Sequence, residues 1–193
     1  LTVLPKSQWR GTSAAALFLA ALGAVPALLS SPQPDTAWLL TAANRILDGA
    51  RLYVDVVEVN PPLIVWFDLI PAAIARTLHL PAAPVFSAIV VLLALGSAWV
   101  TAVLVGRLFP DRLGLRRLLT LATVFVLLPL SREDFGQREH LFLILAFPYI
   151  MIAGLRSVDR PVGPRGAIAA GLAAGAGIAL KPYFVLLWLF LEV

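Results

Sequence analysis

SSPQPDTAWLLTAANRILDGARLYVDVVEVNPPLIVW, residues 30–66, carries six charges: Asp35, Arg45, Asp48, Arg51, Asp55 and Glu58. Four of them are carboxylates, placed directly after the first apolar segment of the chain, where a plain connecting loop needs none. The reading of this stretch decides the fold, because it settles whether the apolar segment after it crosses a membrane.

The chain is 60% hydrophobic and 13% charged. Soluble domains run nearer half apolar and a quarter charged. These proportions identify a polytopic membrane protein, all-α, built as a bundle of transmembrane helices. Cysteine is absent, which excludes a disulfide framework and a thiolate metal site. A net charge of +4 would suit a nucleic-acid binder. Arginines in cytoplasmic loops produce the same balance, so no nucleic-acid partner is expected. The chain opens on Leu1 and closes on Val193 inside the apolar run KPYFVLLWLFLEV (181–193), and it reads as the N-terminal part of one longer transmembrane domain.

A helix needs about 20 apolar residues to cross a bilayer, with a range of roughly 17 to 25. The candidates are 13–29, 63–78, 84–105, 115–130, 141–155, 167–180 and an incomplete one from 183 to 193. Lys6 and Arg10 precede the first and predict a cytoplasmic N-terminus with an uncleaved signal-anchor. If every candidate crosses, GRLFPDRLGLRR (106–117) and RSVDRPVGPR (156–165) face outward, which breaks the positive-inside rule twice. If 63–78 does not cross, both arginine loops become cytoplasmic. That segment is short, follows Asn60 and Pro61, and contains Asp68 and Pro71. It is predicted to be re-entrant or to lie in the interface, so residues 30–83 form one long external segment.

Loops this long are usually functional or disordered, and this one is patterned. Trp38, Leu39, Ala42 and Ile46 share one helical face; Thr41, Asn44, Arg45 and Asp48 share the opposite one. Gly49 supplies a stop. The pattern predicts an amphipathic helix on the membrane surface. LYVDVVEV (52–59) is predicted to be extended, and NPP (60–62) a rigid approach to the next helix.

Five residues are candidates for chemistry. Asp35 precedes the amphipathic helix and reads either as its N-cap or as a general base or metal-binding carboxylate at the membrane face. SREDFGQREH (131–140) reads as a solvated turn or, because Glu139 and His140 abut the apolar run from Leu141, as part of a site, since charge at that depth is costly. Lys181 reads as a snorkelling lysine or as a cation aimed at a lipid phosphate. The glycines before it lack the ending of a phosphate loop, and Gly171 with Gly175 has the spacing of close helix packing. His79 is most simply interfacial, and two separated histidines are a weak zinc signal.

The order of these features resembles the N-terminal part of the GT-C-type glycosyltransferases, in the pattern of the protein O-mannosyltransferases and lipid A aminoarabinose transferases. The resemblance is carried by PQPDTAWLLTAANRILDG (32–49), VEVNPPLIVW (57–66), GQREHLFLILAF (136–147) and GIALKPYFVL (177–186), and it covers residues 13–193. It implies an integral protein of the cytoplasmic membrane that takes a sugar from a polyprenyl-phosphate-linked donor on the outer face. It implies Asp35 as catalytic base, Glu139 as supporting acid or metal ligand, and Lys181 with Arg138 as donor-phosphate contacts. A divalent metal ion held by Asp35, Glu139 and His140 is left open. Two positions depart from the family pattern: Thr36 stands where a second acid is frequent, and Glu139 where an aspartate is. The rival readings are a transporter or flippase, which would bury charge mid-span, and a non-catalytic membrane scaffold.

Overall fold

The computed structural model describes residues 7–160 and 162–192. Lys6 lies outside the described residues, as does the side chain of Arg10. The helices are α1 (Ser7–Leu29), α2 (Pro34–Leu47), α3 (Pro62–Leu78), α4 (Ala82–Leu108), α5 (Leu113–Leu127), α6 (Arg138–Ser157), α7 (Pro164–Leu180) and α8 (Val185–Glu192), with 3-10 turns at Arg132–Asp134 and Pro182–Phe184. The fold is all-helical; among the described residues the only β pairing is an isolated bridge between Leu52 and Val56.

Three helical stretches are long and apolar enough to cross a membrane: Thr12–Leu29, Ala82–Leu108 and Arg138–Ser157. The predicted spans 115–130 and 167–180 are helical but shorter than that. Helix α5 stops at Leu127; Leu128, which precedes Pro129, leaves helical φ at −128°. The last predicted span breaks into a 3-10 turn and the short α8.

Helix α4 is the hub, packing on α1, α3, α5 and α6. Its Phe86, Val90, Ala94 and Ala98 meet Leu127, Leu128, Leu141 and Ile144 in one core. Helices α4 and α6 run side by side in the same direction: Ser97 donates to the Ile144 carbonyl, and Leu108 faces Gly154. Gly23 lets α1 close on α5, since a Cβ there would strike the Leu128 backbone. Leu17, Phe18, Leu92 and Trp99 point away from the core, as expected where helices face lipid rather than water.

The bundle has two chemically different ends. At one, Arg160 donates to the Arg107 and Leu108 carbonyls at 3.2 and 3.3 Å, joining the two arginine loops. At the other lie α2, α3 and the turn 131–137. Helix α2 begins at Pro34, one residue before the position expected for Asp35. Gln33 is the N-cap, and no side chain caps the helix. Proline is preorganised for the first helical position and has no N–H to leave unpaired, so the N-cap reading of Asp35 is corrected: Asp35 sits in the first turn. The Gly49 stop is formed as expected, at φ +98°, with Gly49 and Ala50 donating to the Ile46 and Arg45 carbonyls.

The inward face of α2 is Thr36, Leu39, Leu40, Ala42 and Ala43. Trp38 departs from the predicted face. It is half-exposed, and its indole N–H donates to the Glu58 carboxylate at 2.8 Å. Residues 52–59 are not extended. Asp55 accepts from the backbone N–H and the Nε of Arg51, and Tyr53 closes a tight loop onto the Val56 carbonyl. Such local side-chain bonds compete directly with strand geometry. Helix α3 lies lengthwise on α2, and the two end together: Arg76 donates to the Asn44 side chain at 2.9 Å, the Asn44 carbonyl at 2.7 Å and Asp48 at 2.8 Å. His79, in the left-handed region, then turns the chain into α4.

Candidate functional site

The charged cluster is assembled from three distant segments at the α2–α3 end. Asp35 contributes from the first turn of α2. Arg138 and Glu139 open α6, where a carboxylate is favoured by the helix N-terminus. Lys181 follows α7 directly and adopts an extended conformation that stops it. Its position depends on Gly177, where an added Cβ would come 3.0 Å from Phe142. That close approach lets the end of α7 settle on the start of α6, and Phe142 and Phe184 stack there with centroids 4.2 Å apart. Gly171 and Gly175, expected to pack closely, face open space; the small-residue contact has moved to Gly177.

Within the cluster, charge alternates. The Asp35 carboxylate stands 3.8 Å from the Arg138 guanidinium. Glu139 forms an ion pair with Lys181 and accepts from Tyr183 at 3.4 Å. Burial alone would lower the Lys181 pKa; hydrogen bonds with Glu139 and Tyr183 outweigh it and hold the ammonium above its ordinary value, so Lys181 is a fixed cation. The Arg138 side chain is only 14% exposed, whereas Asp35 is 70% exposed. A guanidinium has five N–H donors, and this one meets a single carboxylate at long range. Two cations and two carboxylates therefore sit together, with Asp35 the more exposed of the acids.

His140 is different. It is 2% exposed. Its Nδ1 accepts from the Gly136 N–H at 2.9 Å, and its Nε2 donates to the Leu127 carbonyl at 2.8 Å. Gly136 has φ +77°, and a Cβ there would collide with the Phe86 ring. His140 thus ties the turn 131–137 to the end of α5, and both ring nitrogens are spent. The expectation of His140 as a metal ligand is corrected on that ground. Among the described residues no three His, Asp or Glu side chains converge to hold an ion.

In the sequence Asp68 argues only against a membrane span over 63–78. It is 1% exposed, and among the described residues neither carboxylate oxygen has a hydrogen-bond partner. Burial pushes its carboxyl up to about 8. A lone Asp in the run IVWFDLIPAA (64–73) signals the cost of burial; nothing in sequence signals that it lacks a partner.

No protein-family model, curated protein or solved structure matches this chain. The functional reading rests on its own side chains.

Proposed function

We propose that this chain belongs to a membrane glycosyltransferase of GT-C type that moves a sugar from a polyprenyl-phosphate-linked donor to an acceptor hydroxyl at the outer face of the cytoplasmic membrane. The observation that carries the reading is the gathering of Asp35, Arg138, Glu139 and Lys181 at one end of an apolar bundle, opposite the end where the arginine loops meet. A phosphate-linked amphiphile presents its head group at that depth.

The chemistry follows from the side chains. Asp35, exposed and carrying no cap bond, accepts the proton of the acceptor hydroxyl. The acceptor oxygen forms its bond to the anomeric carbon as the bond from that carbon to the carrier's phosphate oxygen breaks. The electron pair leaves with the phosphate, where Arg138 and Lys181 stabilise the gathering charge. Direct displacement inverts the anomeric centre. Glu139 acts as a positioning residue: it holds Lys181 at the mouth until phosphate competes for it.

The test is sugar transfer from a polyprenyl-phosphate donor by membranes containing the full chain. Asp35→Asn keeps the shape and, with no cap bond to lose, leaves folding intact. Transfer should fall by about 10² to 10⁴, the range typical of a lost general base. Unchanged transfer overturns the assignment. A proton-coupled transporter is the second reading, favoured by the buried, unpartnered Asp68; proton uptake abolished by Asp68→Asn would establish it instead.

A further inference from the structure

A cavity of about 750 Å³ opens beside the charged cluster without including any of its members. The size suits a single organic ligand, for which pockets of about 300 to 1,000 Å³ are usual. Its walls are apolar: Leu22 and Pro26 of α1, Phe125 of α5 and Leu130 beyond it. Leu22, Phe125 and Leu130 are all well exposed, so the apolar wall is open to an acyl chain. Its rim is polar and holds Gln33, Arg132 and Glu133. Neither Arg132 nor Glu133 enters an ion pair among the described residues.

The rim selects among amphiphiles by charge. An anionic head group would gain from Arg132 and be repelled by Glu133 next to it. A head group with both a phosphate and a primary ammonium satisfies both, through one charge-assisted contact each.

We propose that this cavity binds one phospholipid with a zwitterionic, primary-ammonium head group, its chain along Leu22, Pro26, Phe125 and Leu130, its phosphate on Arg132 and its ammonium on Glu133. The site is independent of the glycosyltransferase reading. The experiment is native mass spectrometry of the full chain, released from detergent containing equal amounts of phosphatidylethanolamine and phosphatidylglycerol. One phosphatidylethanolamine should be retained with roughly tenfold preference, the ratio given by one discriminating contact. Glu133→Lys, at an exposed position, should reverse the preference, and Ala27→Trp, which fills the cavity, should remove retention of both lipids. Asp35→Asn should leave retention unchanged, which separates this site from the catalytic proposal. Equal retention of the two lipids, no retained lipid, or retention that survives Ala27→Trp each overturns it.

Discussion

Arg138, the first residue of α6, stands 3.8 Å from Asp35 in the first turn of α2, with α3, α4 and α5 between them in the chain. The contact is long and Asp35 is largely exposed, so its net stabilisation is small, as for most surface pairs. Its meaning is positional. It places a mostly buried guanidinium beside an open carboxylate.

The Lys181–Glu139 pair separates a phosphate contact from a positioning contact. Lys181→Gln should lower kcat/KM for the polyprenyl-phosphate donor by about 10- to 100-fold, the loss of one charged hydrogen bond of about 1.5–3 kcal/mol. Glu139→Gln retains an acceptor and leaves Lys181 in place, so its effect should stay below roughly tenfold. The reverse ranking in transfer assays would make Glu139 the catalytic group and Lys181 its support.

The meeting of the two arginine loops through Arg160 predicts a topology. With the positive-inside rule, both loops face the cytoplasm. Cysteines at Ala50 and Glu133 should react with a membrane-impermeant thiol reagent from outside. One at Gly114, where an added side chain meets open space, should react only after permeabilisation. Labelling of Gly114 from outside inverts the orientation.

Arg76 pins the paired ends of α2 and α3 through the side-chain and backbone oxygens of Asn44 and through Asp48. Lysine keeps the charge but has no planar fork. Arg76→Lys should therefore lose the bonds to Asn44, about 1 kcal/mol each, and speed amide exchange at Gly49 and Ala50 in hydrogen-exchange measurements. Asp48→Asn should cost less. An unchanged exchange rate in Arg76→Lys would show that apolar packing alone holds the pair.

Asp68 makes stability depend on pH with a definite sign. Its folded pKa of about 8 lies above the ordinary aspartate value near 4. The folded state keeps a proton that the unfolded chain releases, so stability falls as pH rises through that window and levels off above about 8. Asp68→Asn cannot ionise. Its Tm relative to the unsubstituted protein should rise from pH 5 to pH 8 in detergent. A Tm difference constant across that range would mean that Asp68 is ionised in the fold and partnered.

Composition and periodicity determine much of this protein. The apolar content points to membrane-crossing segments, and helices satisfy their backbone bonds within themselves in lipid. The alternation of apolar and polar residues from Asp35 to Asp48 marks α2, and Gly49 marks its end, because these are local facts of helix amphipathicity and backbone freedom. Where local rules compete, the sequence misleads. Pro34 starts α2 ahead of Asp35 and makes Gln33 its N-cap, Asp55 curls a segment with strand composition into a loop, and α5 stops short at Leu127, two residues before Pro129. What no local pattern can supply is which distant polar groups meet. Asp35 finds Arg138, and Lys181 finds Glu139, because Gly177 allows α7 onto α6 and because α4 and α6 run in parallel. His140 is removed from the site by two backbone bonds that exist only once Gly136 and Leu127 are brought to it. A side chain's type is written in the chain; its partner depends on packing, because the residues that share a site are joined by contacts between helices and not by neighbourhood in sequence.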